Sequence, residues 1–386
     1  MVGPPLHPAG DRPLARWRTL AVAVTGATLL IAVALAWLIA PRAVRSRGHV
    51  HAGGSVRSRG TPGFGDPVAI ADDGTHLWVA NLGRGDNPSV TELNASNGGW
   101  VQTMSGGEDQ FGGPNAIASD GARVLVAGNT GVLTELTISS GAWAQLTDGG
   151  YVGSDPVQYV IAMGGGYSWV TAEAGRGELS KRDGSGRVRT LRFRGSFNVP
   201  SAILVVGQHV WVASLYSGRG GSSALTELNA GDGSVVRTVS GGIWVNPVAI
   251  GLSGGDIWVA NQSGGSGHRG SLTELDATDG RWVRAVSGSA YRIDYPVAMA
   301  VYGGDIWVLN SGSGNRDGSV TELSASDGHW IRTLSGARYG FDDPTAIAVD
   351  HAHVWVVNVA GNSITELNAS DGSWVQTLYG RPMPVA

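Results

Sequence analysis

The chain has 386 residues, 42% of them hydrophobic and 15% charged, with 61 glycines and no cysteine. Disulfides, thiolate catalysis and cysteine-based zinc sites are excluded, and the composition suits a turn-rich all-β protein with a large core. Residues 1–60 hold eight of the 27 basic residues and one of the 31 acidic ones, which leaves 19 against 30 and a net charge of −11 beyond them. Such a domain repels phosphate backbones, so no nucleic-acid partner is expected.

In chain order, the first element is an uncharged run of 22 residues from Thr19 to Ala40. As a helix it spans about 33 Å, enough for a hydrocarbon core of about 30 Å. Trp17 and Trp37 lie near its ends, where indoles favour the interface. We expect a retained N-terminal transmembrane helix, although Ala34-Leu35-Ala36 has the small-x-small form of a cleavage site. Arg12, Arg16 and Arg18 precede the run and Arg42, Arg45 and Arg47 follow it, so the positive-inside count is tied. The expected order is a cytoplasmic segment 1–18, an anchor 19–40, a flexible tether 41–63, a repeat domain 64–380 outside the cytoplasm and a tail 381–386. The single lysine, Lys181, among 27 basic residues points to a GC-rich bacterial genome, and hence to a bacterial plasma membrane.

Beyond the tether one pattern recurs seven times, anchored on Pro67, Pro114, Pro156, Pro200, Pro247, Pro296 and Pro344 at spacings of 47, 42, 44, 47, 49 and 48. A period of about 40–50 residues holding several short apolar runs is the signature of propeller blades. Each repeat divides into four runs of strand length at Gly, Asp, Asn or Ser turns: a (346–349), b (353–358), c (363–368) and d (374–379) in the last. The expected fold is a seven-bladed β-propeller of four-stranded antiparallel blades. Every strand lies within its own repeat, so the ring would close by face packing of the first blade on the last.

Strands c and d form a hairpin that sets Glu366 opposite Gln376. The same offset pairs Glu92 with Gln102, Glu135 with Gln145, Glu227 with Arg237, Glu274 with Arg284 and Glu322 with Arg332, with Glu178 and Arg189 eleven apart. These cross-strand pairs make the repeated glutamate structural rather than catalytic. Six tryptophans share one strand-b position (Trp78, Trp169, Trp211, Trp258, Trp307, Trp355), and five begin strand d (Trp100, Trp143, Trp282, Trp330, Trp374). All eleven are expected in the core between blades.

Because strands alternate in direction, the a–b and c–d turns share one face of the disc and the b–c and d–a loops share the other. The c–d turns are short and uniform, so the functional surface is placed on the variable b–c/d–a face. Its d–a loops carry Trp244, Asn246, Tyr291, Tyr295, Tyr339 and Phe341, and Trp244 reads either as a plug over the ring or as a ligand contact. Asn81, Asn261, Asn310 and Asn358 end strand b in four adjacent blades, as strand-end hydrogen-bonding groups or as a polar crescent for a ligand. His76, His209 and His353 begin strand b on the opposite face, and His268 alone reaches the variable one. No dense oxygen-ligand spacing is present, so no catalytic residue, metal or cofactor is assigned.

The repeat Pro-x-Ala-Ile-Ala-x-Asp-Gly-x-x-x-Trp-Val-Ala-Asn resembles the NHL-type and YncE-like propellers over residues 64–380, and is similar to the repeat of virginiamycin B lyase. The resemblance implies a protein that binds proteins, peptides or other ligands. It also implies the alternative of a divalent-metal lyase or hydrolase with histidine and glutamate at the channel mouth, to which no residue here is carried over. The function expected is a membrane-anchored extracytoplasmic module that binds a protein or cell-envelope ligand.

Overall fold

The computed structural model describes residues 64–83, 88–105, 111–146, 158–172, 178–193, 198–215, 222–241, 244–265, 269–312, 317–350 and 352–380. The expected anchor, tether and tail, and His268, lie outside them. Within the described residues, 28 strands form seven separate four-stranded antiparallel sheets, each read in the order a-b-c-d. The first blade comprises Pro67–Asp72, His76–Asn81, Ser89–Asn94 and Trp100–Ser105, and the seventh Pro344–Val349, His353–Asn358, Ser363–Asn368 and Trp374–Tyr379.

Strand a of each blade abuts strand a of the next, around to the seventh against the first. The a strands therefore ring the axis and the d strands form the perimeter. Strand a starts at Pro344, two residues before the expected Ala346. Pro344 pairs with Asn358 across a bulge, and the other described blades that keep the proline repeat that irregularity.

The core lies in the seams between blades. Trp258 of the fifth packs with Ile306, Val308 and Leu323 of the sixth, and Trp307 of the sixth with Val354, Val356 and Leu367 of the seventh. Trp355 of the seventh meets Leu77, Val79 and Leu93 of the first. Each indole removes about 150–250 Å² from water, an upper estimate of about 4–6 kcal/mol. In the first and sixth blades the glycine of the c–d turn closes against the indole of the preceding blade. A Cβ on Gly98 (φ 66°) would stand 2.9 Å from Trp355 Cη2, and one on Gly328 (φ 72°) 3.2 Å from Trp258 Cη2.

Ring closure follows the expected face packing. Across the seam of the first and seventh blades, Gln376 Nε2 donates to the Asn97 carbonyl (2.9 Å), Asp66 N to Asn362 Oδ1 (3.0 Å) and Thr345 Oγ1 to the Val68 carbonyl (3.1 Å). No strand is shared between these two sheets.

Two expectations need correction. Of the eleven repeated tryptophans, only the six on strand b are interior. Of those starting strand d, Trp282, Trp330 and Trp374 are 40–49% exposed, and Trp100 and Trp143 are half-buried. Strand d is outermost, so its first side chain leans over the seam instead of filling it. Trp100, Trp330 and Trp374 each donate Nε1 to the threonine three residues on.

The second correction concerns register. A bulge after the turn sets glutamate opposite Gln102, Arg237, Arg284, Arg332 and Gln376 as expected. The second and third blades lack that bulge. Glu135 faces Ala144 rather than Gln145, and Arg123 (3.4 Å) and Arg182 of the next blade (3.9 Å) take its carboxylate. Glu178 faces Arg192 rather than Arg189.

Candidate binding face

The residue ahead of the proline at the head of strand a shares one conformation around the variable face. The preceding residue adopts left-handed φ at Asp66, Val199, Asn246, Tyr295 and Asp343 (52–56°) and at Gly113. For a non-glycine residue this conformation is strained, so it persists only where surroundings hold it. Here the residue after strand b donates its N–H to the left-handed residue's carbonyl: Leu82 to Asp66, Leu215 to Val199, Gln262 to Asn246, Ser311 to Tyr295 and Val359 to Asp343, at 2.9–3.2 Å. The loops above the channel are thereby locked to the ladder below.

Three residues before the proline sits a plug. Trp244 occupies it, 3% exposed and packed with Trp211, Leu225 and Ile257 at the seam of the fourth and fifth blades. Phe64, Phe111, Ile293 and Phe341 occupy the equivalent place and are equally buried. The sequence signal was present as a large apolar residue at a fixed distance before each proline, and reading Trp244 by residue type alone hid it. Tyr339 is also buried and stacks on Phe341 with ring centroids 5.4 Å apart.

The four asparagines are interior as well, each at 0% exposure. Their Nδ2 groups reach strand c: Asn81 to Thr91 Oγ1 (3.1 Å), Asn261 to Thr273 (3.0 Å), Asn310 to Thr321 (3.2 Å) and Asn358 to Thr365 (3.0 Å). Asn310 Oδ1 also accepts the Asp294 N–H at 3.1 Å, tying strand b to the d–a loop.

Around the mouth of the fifth and sixth blades the structure leaves Asn246, Tyr291 and Tyr295 half-exposed. Residues that the sequence did not single out join them: the exposed Val245 and Arg292, and Arg269, whose Nη1 lies 3.9 Å from Asp294 Oδ2. Thr321 Oγ1 donates to the Arg292 carbonyl and so pins this loop at 3.0 Å. Farther round, exposed Arg338 lies 4.8 Å from the centre of the Tyr339 ring.

Ionisable groups gather on the opposite face instead. His209 and His353 meet Glu227 and Glu366 at 2.6 Å, and His76 meets Glu92 at 3.5 Å. In blades five and six the histidine's place goes to Asp256 and Asp305, which set a second carboxyl beside the glutamate, and Arg284 lies 2.6 Å from Glu274 and Arg332 2.7 Å from Glu322. Burial pushes Glu274 and Glu322 up to about 7; the arginine opposes the rise and the neighbouring aspartate adds to it. The innermost strands contain one carboxylate, Asp72, and no histidine. Among the described residues no three His, Asp or Glu side chains converge.

No family model and no curated protein sequence matches the chain. Solved structures match it in fold. Hydrazine synthase of Kuenenia stuttgartiensis aligns with a TM-score of 0.63 and 15% identity, over 84% of this chain and 99% of that one. A catalytically inactive virginiamycin B lyase from Staphylococcus aureus, with quinupristin, aligns at 0.59 and 16%, over 78% and 94%. The WD40 propeller domain of Doa1 aligns at 0.56 and 11%, over 78% and 92%. At such identities the likeness is one of architecture, and the chain is similar to these proteins as one all-β propeller to another.

Proposed function

We propose that the protein is a non-catalytic binding module, held outside the bacterial cytoplasm by residues 19–40, that captures a protein or cell-envelope ligand on its b–c/d–a face. The observation that carries this reading is the cluster of Asn246, Tyr291, Arg292 and Tyr295. Aromatic, amide and guanidinium groups stand there on loops whose strained backbone is hydrogen-bonded in place. Rigid loops bearing tyrosine and arginine lose little entropy on binding and suit a recognition hot spot. The resemblance to NHL-type and YncE-like repeats supports the same reading.

The test is retention of the purified chain on isolated envelope fractions. A variant with Tyr291→Ala, Arg292→Ala and Tyr295→Ala is expected to lose at least tenfold retention with little change in melting temperature. Equal retention of the two proteins ends the reading. The anchor has its own check: the full chain is expected to resist alkaline extraction from membranes, whereas residues 41–386 are released.

A further inference from the structure

The third blade reverses the charge pattern of its neighbours. Where five blades bury a glutamate opposite arginine or glutamine, this one has Lys181, the chain's single lysine, and across the ladder from it stands Arg189. Like charges directly opposed on a sheet destabilise it. Lys181 is satisfied: its Nζ donates to the carbonyls of Ala230 and Gly231 in the fourth blade and lies 3.5 Å from the centre of the Tyr167 ring. Arg189 is exposed, and its charge acts on the exposed carboxyl of Asp232 across the seam without forming an ion pair within 4.0 Å. The arginines at the matching place elsewhere are spent inward, Arg237, Arg284 and Arg332 each holding a buried glutamate at 2.6–2.7 Å.

The surroundings of Arg189 are open and basic. Strand d of this blade, Val188–Arg192, is the edge of its sheet, and Arg187, Arg189 and Arg192 are all exposed. Arg192 is 77% exposed even with its Nε 2.9 Å from Glu178. Beside the strand lies a shallow, open depression of about 470 Å³ bordered by Arg189, Leu191, Arg192 and Phe193 and by Asp232-Gly233-Ser234 of the fourth blade.

We propose that this edge takes an acidic peptide segment in extended conformation, added as a fifth strand along Val188–Arg192 with its carboxylates on Arg187 and Arg189, which share one face of the strand. An unpaired edge offers main-chain hydrogen bonds, and successive side chains of an incoming strand alternate between the two faces of the sheet. Guanidinium groups match carboxylates in fork geometry. The surrounding domain, at −11 beyond residue 60, repels an acidic ligand elsewhere and so directs it to this edge. The site lies on the perimeter and is independent of the loop face proposed above.

The experiment is fluorescence anisotropy of the full chain in detergent with a labelled decapeptide alternating Glu and Val. Binding is expected to weaken at least tenfold in an Arg187→Glu, Arg189→Glu variant that keeps its melting temperature, and to weaken when alternate backbone nitrogens of the peptide are methylated. A Lys–Val peptide is expected to bind the reversed variant better than the native chain. Equal binding of the Glu–Val peptide to both proteins, or indifference to methylation, overturns the proposal. So does binding of short-chain polyphosphate without binding of the peptide, which would make the edge a site for anionic polymers.

Discussion

The two rows of tryptophan teach different things about one repeat. Both recur at fixed places, yet the strand-b row is sealed between sheets while three of the five strand-d indoles stand 40–49% exposed. Position in the blade, not residue type, decides the difference. Strand b has a neighbour on each side and a facing blade, whereas strand d is the rim. Recurrence marks a place in the architecture, and only burial tells whether that place is interior.

Removing an inner indole gives the largest expected effect. Trp258→Ala should cost about 3–5 kcal/mol in urea unfolding, since it empties a seam that strand b cannot close. If Trp258→Ala and Trp374→Ala cost the same, the contrast between the rows is false. Next comes the amide layer above the inner row. Asn310→Ala strands the Asp294 N–H and removes one of the partners of the Thr321 hydroxyl, for about 1–3 kcal/mol by the same measurement.

The carboxyl pairs of blades five and six sharpen the comparison by pH. Glu274 and Glu322 bind a proton more tightly in the folded chain, near 7, than at their ordinary 4.5. Their contribution is therefore present in full below pH 4.5 and lost as pH rises through 7. The unfolding midpoint should fall between pH 5 and 8, and Glu322→Gln should flatten that fall. The smallest effect belongs to the rim: Trp374→Ala should cost under about 1 kcal/mol, comparable with the one hydrogen bond it gives to Thr377.

Much of the fold was legible because proline, tryptophan and the turn glycine each report a backbone constraint that every blade must meet. The seven prolines fixed the count of blades, and a glutamate ten residues before its partner fixed the hairpin in five of them. What was not legible depended on neighbours in space. Nothing in the composition of Glu178–Asp183 announces that Lys181 rather than Glu178 takes the repeated glutamate's place, so the pairing of Glu178 with Arg192 passed unnoticed. The site was harder still. Trp244 and the four asparagines drew attention as polar or aromatic groups near loops, but plugging and strand-tying consume such groups before any ligand arrives. Tyr291 and Tyr295 were legible because they follow a turn on the variable face, whereas Arg292 is conspicuous only once its carbonyl is seen held by Thr321.

The seam between the first and seventh blades is built like the other six, and this leaves the circle without a topological beginning. Phe64 and Gly380 lie against each other there: the Gly380 N–H donates to the Asn362 carbonyl at 2.7 Å, and Asn362 Nδ2 reaches the Phe64 carbonyl at 3.4 Å. Joining those two residues and opening the chain between the exposed Gly231 and Asp232 would cut the hairpin of one blade and leave six sheets whole. A propeller that shared a strand across its closing seam would have its first and last sheets divided by any such rearrangement. This molecule instead treats blade order as a cyclic sequence, in which any member can come first.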